Sequence, residues 1–552
     1  MAIALLRSLS RPTEHTTFMR QDATLLHELP LLAAERTPNA PALHDGASEY
    51  SYAQLASQIL AFAAGLRELG VHRGERVAIY LDKRLETVVA SFGAPACGAV
   101  FVPINPLLKP EQVGYILRDC GVRVLVTSLE RVRSLQSVLQ GCPELAHIVV
   151  IGASEASMST GSAKLSSHSW TELMKCAPRA GHRVVDLDMV GILYTSGSTG
   201  KPKGVVLSHR NMVAGAKSVA AYLENRSDDV LLAALPLSFD AGFSQLTTAF
   251  HAGASVVLLN YLLPKDVVTA MARHGVTGLT AVPPLWIQLT QVTWPTSAGA
   301  RLRYFANTGG RMPLDTLSRL RAIVPAAKPY LMYGLTEAFR ATYLPPDEVD
   351  RRPDSIGKAI PNSEILVLRE DGTPCAPDEP GELVQRGALV AQGYWNDPAK
   401  TAERFRPLPG RDSGLVLPEM AVFSGDTVRR DAEGFLYFIG RKDEMIKSSG
   451  YRISPNEVEE VIYAAGNVGE CAAFGVPHPT LGEVVVVVAT SRGGQTLEPS
   501  ALAALCRERL PAYMVPAEFE VRDGPLPRNA NGKIDRKSIA AAFIEARVKQ
   551  TA

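Results

Sequence analysis

The chain has little of what would mark a secreted, metal-clustered or nucleic-acid-binding protein. Its 552 residues include seven cysteines, Cys97, Cys120, Cys142, Cys176, Cys375, Cys471 and Cys506, with no CxxC pair and no Cys/His cluster. That scatter argues against a disulfide scaffold and a zinc ribbon, and reads as reduced, mostly buried thiols of a cytoplasmic protein. An excess of one charge is also missing: 57 basic side chains face 56 acidic ones, a formal net charge of +1. No electrostatic footprint for nucleic acid or an anionic membrane results. The opening MAIALLRSLSRP is too short in its apolar part for an export signal and has no small-residue cleavage site. The apolar run VVASFGAPACGAVFVPI, 88 to 104, is interrupted by two glycines and two prolines and falls short of a membrane span. A buried helix and strand is the expectation there.

What is present is a long, 46% apolar chain, enough for more than one core. Segments of helical period, such as EYSYAQLASQILAFAAGLREL at 49 to 69, alternate with β-rich runs such as RVAIYL (76 to 81) and VRVLVTS (122 to 128). This alternation predicts an α/β protein with largely parallel sheets. GASEASMSTGSAKLSSHS, 152 to 169, reads as a surface loop. The texture changes again near 440: a charged, Gly-flanked turn leads into a helix from about Ser454, then the strand EVVVVVAT (483 to 490), a helix over 499 to 510, and the loop PLPRNANGKIDR (525 to 536). A domain boundary is expected at about 441 to 444.

The most informative stretch is ILYTSGSTGKPKGVVLSH, 192 to 209, where an apolar strand breaks into Gly, Ser, Thr, Lys and Pro before turning apolar again. Such a loop offers backbone N–H groups and hydroxyls with little side-chain bulk, which suits phosphate oxygens, and Lys201 and Lys203 add positive charge. The P-loop pattern does not fit: Pro202 follows Lys201, and Thr195 stands five places before Gly200.

YTSGSTGKPKG (194 to 204) resembles the signature of the AMP-forming adenylating superfamily of acyl-CoA synthetases, peptide-synthetase adenylation domains and luciferases. YGLTE (333 to 337), SGD (424 to 426), GRKDEMIKSSGYRIS (440 to 454) and PRNANGK (527 to 533) follow in that family's order and spacing. The resemblance covers nearly the whole chain. It implies an α/β fold with a large N-terminal domain of stacked α/β subdomains, 1 to 441, and a small mobile α+β C-terminal domain, 442 to 552. The hinge falls at Asp443.

The implied reaction is attack of a carboxylate on the α-phosphorus of ATP, giving acyl-adenylate and pyrophosphate, then acyl transfer to a thiol. By resemblance, Thr195, Ser196, Gly197, Ser198, Thr199, Gly200 and Lys203 hold the β- and γ-phosphates, where positioning and charge neutralisation count most. Tyr333 faces adenine, Thr336 a phosphate oxygen and Glu337 the Mg²⁺ ion, a hard cation suited to carboxylate oxygen. Gly309, Gly310 and Gly334 belong to the same nucleotide site. Asp426 and Arg441 contact the ribose, Gly450 lines the thiol tunnel, and Lys533 bridges the substrate carboxylate and the α-phosphate during adenylation only. A chain that kept the fold without the chemistry would be expected to have lost one of Lys203, Glu337, Asp426 or Lys533, and all four stand here.

The acyl pocket is expected from Phe239, Asp240, Phe243, Trp286, Gly309 and Phe339. The segment LPLSFDAGFSQL (235 to 246) departs from many acyl-CoA ligases of the family and is closer to amino-acid-activating members, in which the matching Asp binds the substrate ammonium. Two readings of Asp240 stand: that role, or the N-cap of a helix beginning near Gly242. Over its length the chain is most similar to acyl-CoA ligases associated with bacterial exosortase A systems. Cofactors implied are ATP, Mg²⁺ and coenzyme A. A carrier protein's phosphopantetheine offers the same thiol arm, so an enzyme loading an acyl carrier protein stays open beside the acyl-CoA ligase.

Overall fold

A computed structural model of the chain describes residues 22–152, 165–195, 202–409, 418–441, 444–448, 451–478, 481–529 and 532–551. The chain divides into two compact units. One is built from residues up to Asn260 with Thr336–Phe339 and Ala388–Ala402; the other takes Tyr261–Leu335, Arg340–Gly387 and the chain from Glu403 onward.

In the first unit an eight-stranded sheet runs in the order Gly393–Tyr394, Lys203–Ser208, Met189–Thr195, Val100–Pro103, Arg76–Tyr80, Val122–Ser128, His147–Ile151 and Ser166–Ser169. From Met189–Thr195 to Ser166–Ser169 the strands pair in parallel, as the strand–helix alternation predicts, while Lys203–Ser208 runs antiparallel to both of its neighbours. The helix expected over 49 to 69 spans Tyr52–Glu68, because Ser51 and Gln54 form a capping box that ends the strand Ser48–Ser51 and starts the helix. The apolar run at 88 to 104 divides into the end of the helix Leu85–Cys97 and the strand Val100–Pro103. Among the described residues no helix is long and apolar enough to cross a membrane. Of the predicted loop at 152 to 169, residues 153 to 164 lie outside the described ones. Its end departs from the expectation, since Ser166–Ser169 pairs with the His147–Ile151 strand. An edge strand needs only main-chain partners, so SSHS carries no apolar alternation to announce it.

The seven cysteines are unpaired thiols; all but the half-buried Cys176 are buried, and burial pushes Cys97 and Cys120 up to about 12. A histidine pair, His209 buried and His27 half-buried, ties the start of the described chain to the helix His209–Tyr222. Nδ1 of His209 accepts the Leu26 N–H at 2.9 Å, and the His27 and His209 ring centroids are 6.0 Å apart. Burial pushes His27 down to about 4 and His209 to about 3. Both are neutral in the fold but protonate near 6.5 once unfolded, so the unfolded chain binds more protons below that pH. Stability is therefore expected to fall as pH drops from about 6.5 toward 4. Urea midpoints across that range check this, and His27→Gln should flatten the slope.

In the second unit the parallel strands Gly278–Ala281, Tyr304–Asn307 and Lys328–Tyr333 continue into antiparallel ones, including Ser355–Ala359, Leu436–Arg441 and Met420–Arg430. A five-stranded sheet follows, with Gly482–Ser491 at its centre, Val468–His478 antiparallel to it at the edge and Glu518–Arg522 added in parallel. The strand predicted at 483 to 490 is apolar on both faces for a reason. Val485 and Val487 pack with Val458, Ile462 and Leu502 on one side, and Val486 and Val488 with Leu526 and Ile539 on the other. The fold is thus α/β with a small α+β C-terminal layer. Its first helix is Pro455–Tyr463, with Ser454 at the N-cap position and proline leading the first turn.

Candidate active site

Each unit carries its own part of the predicted machinery. In the second, the strand Lys328–Tyr333 ends by delivering the Tyr333 hydroxyl as a donor to Asp426. Asp426 lies directly opposite Arg441 in the pairing of Met420–Arg430 with Leu436–Arg441, and Arg441 Nε is 3.6 Å from its Oδ1. The Asp426 backbone N–H donates to Ser424 Oγ at 3.0 Å, and Ser424 donates to the Leu383 carbonyl at 2.7 Å. Gly425 makes this turn at φ 72°, with Arg404 filling the place of a side chain. Burial first, and then the Asp426 charge, push the Tyr333 phenol well above its usual range, so it remains a donor. The result is a nearly buried carboxylate flanked by a guanidinium and a phenol, a group able to accept two vicinal hydroxyls.

Gly309 and Gly310 follow the parallel strand Tyr304–Asn307, and Asn307 Nδ2 folds the loop back by donating to the Gly310 carbonyl at 2.8 Å. Gly309 has φ 75°, and a Cβ there would stand 3.0 Å from Lys533 Cε and 3.1 Å from Val282 Cγ1. The left-handed backbone and the close Val282 contact together favour glycine here. Gly334 is less confined; its nearest neighbour would be the Arg340 Cα at 3.3 Å.

The loop carrying Lys533, read from composition as a surface loop, is a tight hairpin on either side of residues 530 and 531. Asn529 N–H donates to the Lys533 carbonyl at 2.8 Å, and Lys533 N–H to Asn529 Oδ1 at 3.1 Å. Buried Glu470 anchors it, accepting from the Arg528 guanidinium and, at 2.8 Å, from the Leu526 N–H. Arg528 also donates to the Gly532 carbonyl at 2.9 Å. Contacts farther off hold the C-terminal layer against 311 to 315. Arg492 donates to Asp315 at 2.8 Å, and Glu460 accepts the Leu314 N–H at 3.2 Å. Glu470→Gln keeps the shape but removes the charge facing Arg528. If Lys533 has the adenylation role that its motif implies, the variant is expected to slow adenylation roughly tenfold or more through misplacement of the lysine, with thiol transfer from supplied acyl-adenylate preserved. Single-turnover assays of the two half-reactions check this.

In the first unit the hairpin Met189–Thr195 and Lys203–Ser208 sets Thr195 opposite Lys203 at the base of the Gly/Ser loop. Ser196, Gly197, Ser198, Thr199 and Gly200 lie outside the described residues, as do Asp443 and Gly450. Tyr194 fixes the loop's entry by donating to Asp119 Oδ2 at 2.5 Å. Thr336–Ala338 form a 3₁₀ turn, and the Glu337 carbonyl accepts the Ala391 N–H at 2.8 Å. The Glu337 carboxylate accepts from the Tyr394 hydroxyl at 2.5 Å, and Lys203 Nζ lies 5.6 Å from the centroid of the same ring. Among the described residues there is no group of three or more His, Cys, Asp and Glu that could hold a metal. Glu337 is a single placed carboxylate that would suit Mg²⁺, a hard cation that can keep several waters beside one protein oxygen.

Of the six expected pocket residues, Phe239, Asp240, Phe243, Trp286 and Phe339 are buried and Gly309 is half-buried. Phe243 stacks on Phe101 and Phe92, with centroids 4.8 and 5.6 Å away, and Trp286 meets Phe305 edge-on at 5.6 Å. Phe339, at φ 55°, lays its ring where a Cβ on Gly215 would be. The reading of Asp240 as a helix cap is corrected. The helix is Asp240–Ala252, Phe239 occupies the N-cap position, and no side-chain cap bond forms. The helix starts two residues early because Gly242 lets the turn close on Pro236, whose carbonyl oxygen would be 1.8 Å from a Cβ. The buried Asp240 carboxylate is instead in the first helical turn, at the positive end of the helix dipole. Sequence reasoning missed Tyr394, Glu470 and Arg528; Arg528 was within a quoted motif, but nothing local marks any of the three.

Antiparallel strands on either side of a Gly/Ser stretch, a Tyr–Asp–Arg cluster and a lysine on a C-terminal hairpin, on an α/β fold, are the features of an adenylating enzyme. The chain belongs to the AMP-binding enzyme family: residues 32–395 match that family, and 457–533 match the AMP-binding enzyme C-terminal domain. It is 28% identical to a long-chain-fatty-acid–CoA ligase of Salmonella typhimurium, over 92% of each chain. It is 30% identical to a feruloyl-CoA synthase of an Amycolatopsis species, over 93% of this chain and 98% of that one. Among solved structures, the anthranilate CoA ligase AuaEII in complex with anthranoyl-AMP superposes with a TM-score of 0.84 at 25% identity, covering 94% of this chain and 97% of that one. The o-succinylbenzoate CoA synthetase MenE from Bacillus subtilis, in complex with ATP and magnesium, gives 0.76 at 28% identity over 92% and 98%.

Proposed function

We propose that this chain is an AMP-forming acyl-CoA ligase. It joins a carboxylic acid to ATP as an acyl-adenylate, releasing pyrophosphate, and then passes the acyl group to the coenzyme A thiol, releasing AMP. The observation that carries this reading is the placement of Lys533 against Gly309 by a hairpin anchored on buried Glu470. A cation fixed there can pair with the attacking carboxylate and with the charge that develops on the α-phosphate. Asp426 and Arg441 accept the ribose hydroxyls beside Tyr333, and Thr195, Thr336 and Lys203 serve the phosphates. Glu337 would hold Mg²⁺, which offsets phosphate charge when bound.

The domain boundary is placed at 441/442, with Asp443 as the hinge. A swing there would break the Arg492–Asp315 and Glu460–Leu314 contacts and withdraw Lys533 before thiol transfer. Gly450 then lines the path of the pantetheine arm. The unpaired cysteines support a cytoplasmic site, and sequence resemblance supports the exosortase-associated setting. The acids of the relatives are fatty and aromatic, and one of these classes is the substrate. Buried Asp240 keeps a second reading in view, an amino-acid substrate and a carrier-protein acceptor. Pyrophosphate release from matched fatty, aromatic and amino acids, with wild type and Asp240→Ala, tests it. Fatty or aromatic acid turnover supports the ligase; amino-acid activity lost in the variant would replace it with carrier loading.

A further inference from the structure

Tyr394 stands on a strand of two residues, Gly393–Tyr394, paired to Val205 and Val206 of the strand that leaves the phosphate-type loop. Several contacts fix its place. Its N–H donates to Thr401 Oγ1 at 3.0 Å, and the Trp395 N–H donates to the Gly204 carbonyl at 2.7 Å. Gly393, at φ 127°, leaves no room for a side chain beside Thr401, whose Cγ2 would be 2.6 Å from a Cβ. Asn211, on the helix His209–Tyr222, clamps the preceding segment by donating to the carbonyls of Ala388 and Val390 at 2.8 and 2.9 Å. One helical turn on, Gly215 seats the Phe339 ring that ends the Thr336–Ala338 turn. One helix face therefore sets the height of both the Glu337 turn and the Tyr394 strand.

From this platform the hydroxyl of Tyr394 reaches Glu337 Oε1 at 2.5 Å while its ring lies under the Lys203 ammonium. We propose that Tyr394 is a positioning residue that couples the two charged groups of the phosphate site: its hydroxyl aims the Glu337 carboxylate at Mg²⁺, and its ring places the Lys203 cation. The inference rests on the assignment of Glu337 to Mg²⁺ given above. A short charge-assisted hydrogen bond occupies one carboxylate oxygen and restricts rotation of the group, so the second oxygen is presented in one direction. The ring's negative face attracts the ammonium without taking a hydrogen bond from it, which leaves its three donors for phosphate.

The test separates hydroxyl from ring. Mn²⁺ affinity is read by electron paramagnetic resonance in the presence of a non-hydrolysable ATP analogue, for wild type, Tyr394→Phe, Tyr394→Leu and Glu337→Gln. Thiol transfer from supplied acyl-adenylate serves as the control of fold. Tyr394→Phe is expected to weaken Mn²⁺ binding roughly tenfold and to raise the Mg²⁺ needed for adenylation in parallel, with the KM for ATP at saturating Mg²⁺ and thiol transfer unchanged. Tyr394→Leu should add a rise of about threefold in that KM. If Glu337→Gln loses Mn²⁺ and Tyr394→Phe does not, the coupling is overturned while the metal assignment stands. Wild-type affinity in Glu337→Gln would instead overturn the metal assignment, and the coupling with it.

Discussion

Lys533→Ala is expected to slow acyl-adenylate formation by roughly a hundred- to a thousandfold while leaving thiol transfer from supplied acyl-adenylate near wild type. The asymmetry comes from where the lysine sits. It projects from a hairpin whose main-chain bonds, Glu470 anchor and Arg528 brace are all independent of its side chain, so truncation leaves the hairpin standing. On the proposed assignment, what is lost is one cation at the Gly309 loop that pairs with the attacking carboxylate and with the charge developing on the α-phosphate. In thiol transfer the phosphate is already bonded to the acyl group and AMP leaves as a low-energy anion, so the same cation has little to stabilise. Rapid-quench measurement of each half-reaction separates the two, and equal damage to both would remove Lys533 from its assigned step.

Asp426→Ala is the second large effect, and it should appear in nucleotide binding. The carboxylate is nearly buried, accepts from Tyr333 and faces Arg441. On the proposed assignment its removal takes away the acceptor for two ribose hydroxyls, and it leaves the Tyr333 hydroxyl and Arg441 without that partner. A charged hydrogen-bond acceptor is worth about 1.5 to 3 kcal/mol, so the KM for ATP should rise by roughly ten- to a hundredfold. Asp426→Asn keeps the volume and should recover part of it. Calorimetric titration with ATP reads the affinity directly. Unchanged affinity in Asp426→Ala would put the ribose elsewhere.

The motifs were legible because each chemical demand selects residue types in a short window. Gly, Ser and Thr frame a phosphate loop, one carboxylate follows a tyrosine by four places, and lysine sits on a Gly/Asn turn. Regular elements were legible where periodicity was strong, as in Val122–Ser128, which the alternation placed without error. The rest was hidden by distance along the chain. Tyr394 acts on a group 57 residues away, and Arg528 on one 58 away, through contacts that only the finished fold creates. The start of the helix Asp240–Ala252 was misjudged for a related reason. Gly242 looked like a place to begin a helix, whereas its missing side chain serves a close approach to the Pro236 carbonyl inside the first turn. Nothing local announced the hairpin at Lys533, because its order comes from Glu470 and main-chain bonds rather than from apolar pattern.

The most direct test of the central claim is acid-dependent exchange of labelled pyrophosphate into ATP, run over a panel of fatty and aromatic acids with and without coenzyme A. The account predicts exchange that requires an acid, and, once coenzyme A is added, acyl-CoA and AMP in equal amounts. Binding of ATP with no exchange for any acid, or formation of ADP in place of AMP, would contradict it.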